Sequence, residues 1–184
     1  MLTVNLDELI NEYDEEEIKS LLCCFSCDKN KDLENFLCNL AIKFSKRNVS
    51  KTYLIINEDS PDILAYFSLA FTSIQSSEFE LSNTLVSKMD GFNKHAKEIK
   101  VHLIGQIGKN FAVENNPINL GLILQETFTI IKQIRAMAGG RFAILECNNH
   151  PSLIELYEKQ GFRVLPTKKD DDDHLITMCI KIPD

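Results

Sequence analysis

The sequence lacks an apolar run long enough to cross a membrane: the longest, such as residues 63–71, fall well short of the ~20 residues a bilayer requires. The opening MLTVNLDELINEYDEEE has no basic stretch followed by an apolar one, so no secretory leader is expected and the cytoplasm is the expected location. Nothing in the sequence concentrates Lys and Arg in the manner of a nucleic-acid-binding face, and the net charge is −7. Because phosphate neutralisation supplies much of a nucleic-acid binder's affinity, this balance predicts no nucleic-acid partner. A complete metal-ligand set is also missing. Cys24-x-x-Cys27 has the spacing of a ligand pair, but no second pair completes it, and His95, His102, His150 and His174 are scattered. The six cysteines, Cys23, Cys24, Cys27, Cys38, Cys147 and Cys179, are therefore expected as buried or half-buried free thiols. With no internal repeat and no linker, residues 1–184 are expected to form a single domain.

What is present is the composition of a globular protein, 44% hydrophobic and 26% charged. Residues 14–25 predict a short helix capped by Asp14, with Glu17 completing a capping box, and Ile18, Leu21, Leu22 and Phe25 at helical spacing. Leu33, Phe36, Leu37, Leu40, Ala41 and Phe44 make a second apolar stripe, with Asn30 as its cap. Two strand-like runs, residues 52–56 and 63–71, flank the turn formers of residues 57–62 and predict an antiparallel pair. Residues 76–100 read as part helix, part loop. A strand over 101–107, a helix over 119–135 and a strand over 142–147 then imply a parallel pair with a right-handed crossover. Pro151 and Gly161 bound a short helix, and residues 162–165 and 175–182 predict a closing hairpin around a charged tip at 168–173.

Residues 144–162, ILECNNHPSLIELYEKQGF, resemble the end of the core of the GCN5-related N-acetyltransferase family, where a strand, an Asn-containing turn and a short helix end in Tyr-x-x-x-Gly-Phe; here these are Tyr157, Gly161 and Phe162. The segment Ile104-Gly105-Gln106-Ile107-Gly108-Lys109-Asn110 looks like that family's fourth strand. The resemblance implies an α/β (α+β) fold: a central, mostly antiparallel mixed sheet with one splayed parallel strand pair and flanking helices. It implies acetyl-CoA as co-substrate. The pantetheine arm would lie along the backbone of Ile107, Gly108 and Lys109, where Gly105 and Gly108 carry no side chain to hold a ligand away. The pyrophosphate would meet the start of the next helix, at Asn116, Asn119, Leu120 and Gly121. In the family pattern Asn116 replaces an Arg or Gln and Asn119 replaces a Gly; Gly121 keeps its type. Asn149 would contact the CoA arm or cap the following helix, with Asn148 and His150 as alternative caps.

The activity so implied is direct attack of a primary amine of a small molecule or protein on the acetyl thioester. Tyr157 would serve as general acid to the departing thiolate, since a phenol with a pKa near ~10 is protonated at neutral pH. Backbone N–H groups near Ile107 would polarise the thioester carbonyl. Glu114 and Glu146 are the candidate bases. No metal is expected, no membrane partner is expected, and a homodimer is left open. The alternative is a catalytically degenerate acyl-CoA-binding or interaction module of the same fold. A toxin acetylating charged transfer RNA ranks behind both, because its substrate calls for a basic surface.

Overall fold

The computed structural model describes residues 1–168 and 175–183. Strand β1 (Leu2–Asn5) leads into helix α1 (Leu6–Glu12), capped by the Asn5 side chain, which accepts from Asp7 N. Helix α2 (Glu15–Leu22) is capped by Asp14, which accepts from Glu16 N; such a cap is worth about 1 kcal/mol. Helix α3 (Lys31–Asn35) is capped by Asn30. It passes through a π-helical turn (Phe36–Leu40) into α4 (Ala41–Lys46), so the second apolar stripe is one helix locally widened rather than a regular one. There follow β2 (Lys51–Ile56), β3 (Ile63–Gln75), a 3₁₀ turn (Ser76–Glu78), α5 (Asn83–Asp90) and β4 (Glu98–Lys109). Helix α6 (Leu120–Ala138), β5 (Phe142–Asn148), α7 (Pro151–Glu158), β6 (Arg163–Val164) and β7 (Leu175–Lys181) complete the chain.

The strands form one seven-stranded mixed sheet in the order β1-β2-β3-β4-β5-β7-β6, flanked by helices. β2 pairs antiparallel with β1 and with β3, the latter from Lys51↔Leu69 to Ile56↔Ile63 with an irregularity at Ile55/Ile56. β4 runs parallel to β5, with the register His102↔Ala143, Leu103↔Ile144 and Ile104↔Leu145. β5 and β6 both pair antiparallel with β7. Beyond Lys168 the charged tip expected at residues 168–173 lies outside the described residues.

The chain divides into two compact units: Met1–Ala70 with Gly105–Thr127, and Phe71–Ile104 with Phe128–Asp184. The first is built on an aromatic cluster in which Tyr66 meets Phe25 edge-on at 5.0 Å and stacks on Phe36 at 6.2 Å. Leu6, Ile18, Leu22, Leu37 and Leu54 close around these rings. The Tyr66 hydroxyl donates to Leu33 O at 2.8 Å, so the one polar atom brought inside is satisfied. The second unit buries Val86 and Met89 of α5 with Ile99 and Val101 of β4, Phe142 and Ile144 of β5, and Cys179 of β7.

The cysteines differ from the expectation of free thiols. Cys23 and Cys38 form a disulfide that ties the C-cap of α2 to the π-helical turn, while Cys24, Cys27, Cys147 and Cys179 are free. Cys23 and Cys38 are fifteen residues apart in sequence, and only the antiparallel return of the chain through α3 brings their α-carbons to 4.5 Å.

Candidate functional site

In the first unit the end of β4 and the start of α6 are joined by a loop whose side chains turn inward on the backbone. Asn110 is 3% exposed. Its Oδ1 accepts from Ser26 N and Ala112 N, both at 3.0 Å, and its Nδ2 donates to Ile63 O at 2.7 Å. Asn116 behaves alike: Nδ2 donates to Leu64 O and Asn110 O, both at 2.8 Å, and Oδ1 accepts from Ile118 N at 3.0 Å. Every polar atom of this amide is thus committed to holding the loop, with none left over for a phosphate. Lys109 Nζ donates to Asn116 O at 3.0 Å, which ties the strand end to the same loop.

At the helix start, Asn119 Oδ1 accepts from Leu122 N at 3.1 Å, and Asn119 O accepts from Ile123 N at 3.1 Å. Asn119 is therefore an N-cap. The first N–H groups of an α-helix have no partner within the helix, and at this helix start those include Leu120 and Gly121. Ile107 and Lys109 are half-buried and Gly108 is buried. A Cβ at Gly108 would lie 2.9 Å from both Phe25 Cζ and Tyr66 Cε1, so this glycine lets β4 pass against the aromatic cluster. Gly105 is the exposed one of the pair, its Cβ position 3.1 Å from Ser68 Oγ. Glu114 is exposed on the loop.

In the second unit, β5 feeds α7 through Asn148, Asn149 and His150. His150 occupies the N-cap position, with Pro151 at the head of the helix, and Ser152 Oγ lies 2.8 Å from His150 Nδ1. Asn149 is exposed and is not the cap. Glu146 is exposed on β5. Tyr157 sits in the last turn of α7, its ring edge-on to the buried Phe162 at 5.7 Å. Burial, reinforced by the neighbouring Cys147, pushes its phenol up to about 12, so the hydroxyl stays protonated through the whole physiological range. Gly161, at φ 92, turns the chain from α7 so that Phe162 can meet Tyr157. Among the described residues no group of three or more His, Cys, Asp or Glu is arranged to hold a metal ion.

Asn110 is the residue that sequence reasoning misses. In the sequence it is only the last residue of the fourth-strand segment, and its signal is weak: a polar residue directly after a strand gives no hint that three distant or local backbone groups will converge on it.

These elements, in this order, with the parallel β4/β5 pair, make up the fold of the GCN5-related N-acetyltransferases. No protein-family model and no curated protein matches the sequence. Solved structures do match. A bacterial toxin superposes with a TM-score of 0.74 at 17% identity, over 98% of this chain and 90% of its own. AtaT complexed with acetyl-methionyl-tRNAfMet superposes at 0.63 and 13% identity, over 90% and 87%. AtaTR bound with acetyl-CoA superposes at 0.62 and 14% identity, over 85% and 84%.

The tRNA complex overturns the expectation of no nucleic-acid partner and, with it, that of a small-molecule or peptide amine as substrate. Net charge is the wrong measure. It sums the whole surface, whereas phosphate recognition depends on the field of a local cluster, which a total of −7 leaves unconstrained. Among the described residues no helix is long and apolar enough to cross a membrane.

Proposed function

We propose that the protein is an acetyl-CoA-dependent N-acetyltransferase whose acceptor is the α-amine of an aminoacyl-tRNA, acting in the cytoplasm as one domain of residues 1–184. The observation that carries this is the likeness, over most of the chain, to a toxin captured with an acetylated aminoacyl-tRNA. Acetyl-CoA supplies the activated thioester. Its pantetheine arm lies along the backbone of Ile107, Gly108 and Lys109, and its pyrophosphate meets the N–H groups of Leu120 and Gly121 behind the Asn119 cap. Asn116 acts indirectly, by fixing the loop that presents this helix start. Asn149, exposed and free of the capping role, is available to the CoA arm.

The neutral amine attacks the thioester carbonyl; the carbon–nitrogen bond forms as the carbon–sulfur bond breaks, the nitrogen gives up its extra proton to water, and the thiolate takes the Tyr157 proton, which solvent then restores. A phenol pushed up to about 12 is a weak acid, but it is always in the protonated form needed to donate. Glu114 and Glu146, both exposed, act as bases only through water.

One observation favours a second reading, an acyl-CoA-binding or interaction module without catalysis. The side chain at position 116, where the family pattern has a phosphate-contacting Arg or Gln, is wholly committed to the protein's own backbone. Calorimetric titration with acetyl-CoA, followed by incubation of the protein with acetyl-CoA and a mixture of charged tRNAs, separates the two. Micromolar binding together with blocked aminoacyl ends supports the enzyme. Binding without any acetylated product supports the module, and no binding up to millimolar acetyl-CoA removes both.

A further inference from the structure

The first unit carries a groove of about 290 Å³, lined by none of the residues assigned to acetyl-CoA, in which Lys19, Lys43, Lys46 and Arg47 face a single carboxylate, Glu15. The cations come from two elements. Lys19 lies on α2, and Lys43, Lys46 and Arg47 lie at the C-terminal end of α4, where the negative end of the helix dipole tolerates them. Cys38, on the π-helical turn that precedes α4, forms part of the wall. Glu15 is spent on an ion pair with Lys46. Among the described residues, Lys19, Lys43 and Arg47 have no carboxylate partner, and all three are exposed.

An acidic protein that places three cations without a carboxylate partner, Lys19, Lys43 and Arg47, on the two walls of one groove has a local anion site in a repulsive background. Lys43 and Arg47 stand four residues apart, about 6 Å along the helix, a spacing suited to successive phosphates of one strand. The groove is concave, which fits a rounded polyanion and not the plane of a membrane.

We propose that this groove seats the phosphodiester backbone of the tRNA body, holding the RNA while its aminoacyl end is acetylated. The proposal rests on the function given above, and the test separates the two. Binding of uncharged tRNA is followed by fluorescence anisotropy over a series of salt concentrations. The wild type is compared with a Lys43→Glu/Arg47→Glu variant and with a Lys88→Glu/Lys94→Glu variant, which makes the same change in net charge at exposed residues of the second unit. The groove variant is expected to bind at least about tenfold more weakly, and its salt slope to fall by about two, one for each phosphate no longer neutralised. The control variant is expected to follow the wild type.

Equal weakening in both variants, or wild-type affinity in the groove variant, overturns the proposal. Should the groove variant depart from the wild type in circular dichroism, Lys19→Glu, on the other wall, carries the same test with a single phosphate. Acetylation of charged tRNA by the wild type scores the function separately. Acetylation with an unaffected groove variant leaves the function standing and removes the groove. Groove-dependent tRNA binding without acetylation does the reverse.

Discussion

At Gly108 one missing methyl group decides whether β4 can pass the aromatic cluster. Since a Cβ there would come within 2.9 Å of two rings that are themselves packed edge to face, neither ring has room to retreat. Gly108→Ala is expected to destabilise the protein by about 1–3 kcal/mol, the usual cost of overpacking, read as a lower urea midpoint. An unchanged midpoint with weakened acetyl-CoA binding would instead mean that the hydrogen faces the ligand. Tyr157 presents the converse case, in which the ring is structural and the hydroxyl is the functional part. Its packing on Phe162 survives Tyr157→Phe, so the variant should fold and bind acetyl-CoA while its turnover drops about 10²-fold. Because burial holds the phenol up at about 12, the wild-type rate should rise with pH as the acceptor amine loses its proton, with no fall assignable to Tyr157 below about pH 10. Unchanged turnover in the variant would dismiss the proton-donor role.

At the scale of elements, the loop between β4 and α6 is held by two asparagines rather than by regular structure. Asn116→Ala removes the side-chain donor to Asn110 O and the acceptor of Ile118 N, while Leu64 O keeps its bond from Asn110 N; the loss costs about 1–3 kcal/mol. A melting temperature several degrees lower, with acetyl-CoA affinity also reduced, is the expected result; lost affinity at full stability would point to direct contact with the phosphates. The elements themselves are largely legible in the sequence. The apolar run from Ile63, the stripe of Ile123, Leu124 and Ile131, and the Pro151 and Gly161 boundaries each carry a local signal, and each marks the element it predicts. The first strand and helix escape such reading because β1 is four residues long and α1 follows it directly, too little for either period to show. The π-helical turn is hidden because it inserts into an unbroken apolar stripe without changing its composition. The roles of Asn110 and Asn116 are hidden for a different reason: their partners Ile63 and Leu64 lie 47 and 52 residues away, and no local pattern encodes such pairings. The charged groove likewise joins α2 to α4, which no tally along the chain reveals.

Over the whole molecule, several weak acids are held neutral by burial, and this fixes how stability responds to alkali. Tyr157 is pushed up to about 12 and Cys179 up to about 11, and burial also raises Tyr66, Tyr53 and Cys147. The ordinary values are 10.0 for a tyrosine and 9.0 for a cysteine, so on unfolding these groups release protons at a lower pH than the folded chain would. The folded state thus binds more protons above about pH 9, and unfolding free energy must fall as pH rises. The contribution is complete below pH 9 and is lost progressively as pH rises through the folded values. Each group that has titrated in the unfolded chain but not in the folded one steepens the fall by about 1.4 kcal/mol per pH unit. Urea midpoints should be flat from about pH 7 to 8.5 and decline beyond, until the protein unfolds in mild alkali. Repulsion from a net charge of −7 would also weaken the fold as further groups deprotonate, but it is screened by salt, whereas proton linkage at buried phenols is not. The decline should therefore persist in about 1 M salt and be shallower in Tyr157→Phe, and a decline abolished by salt would assign it to surface charge alone.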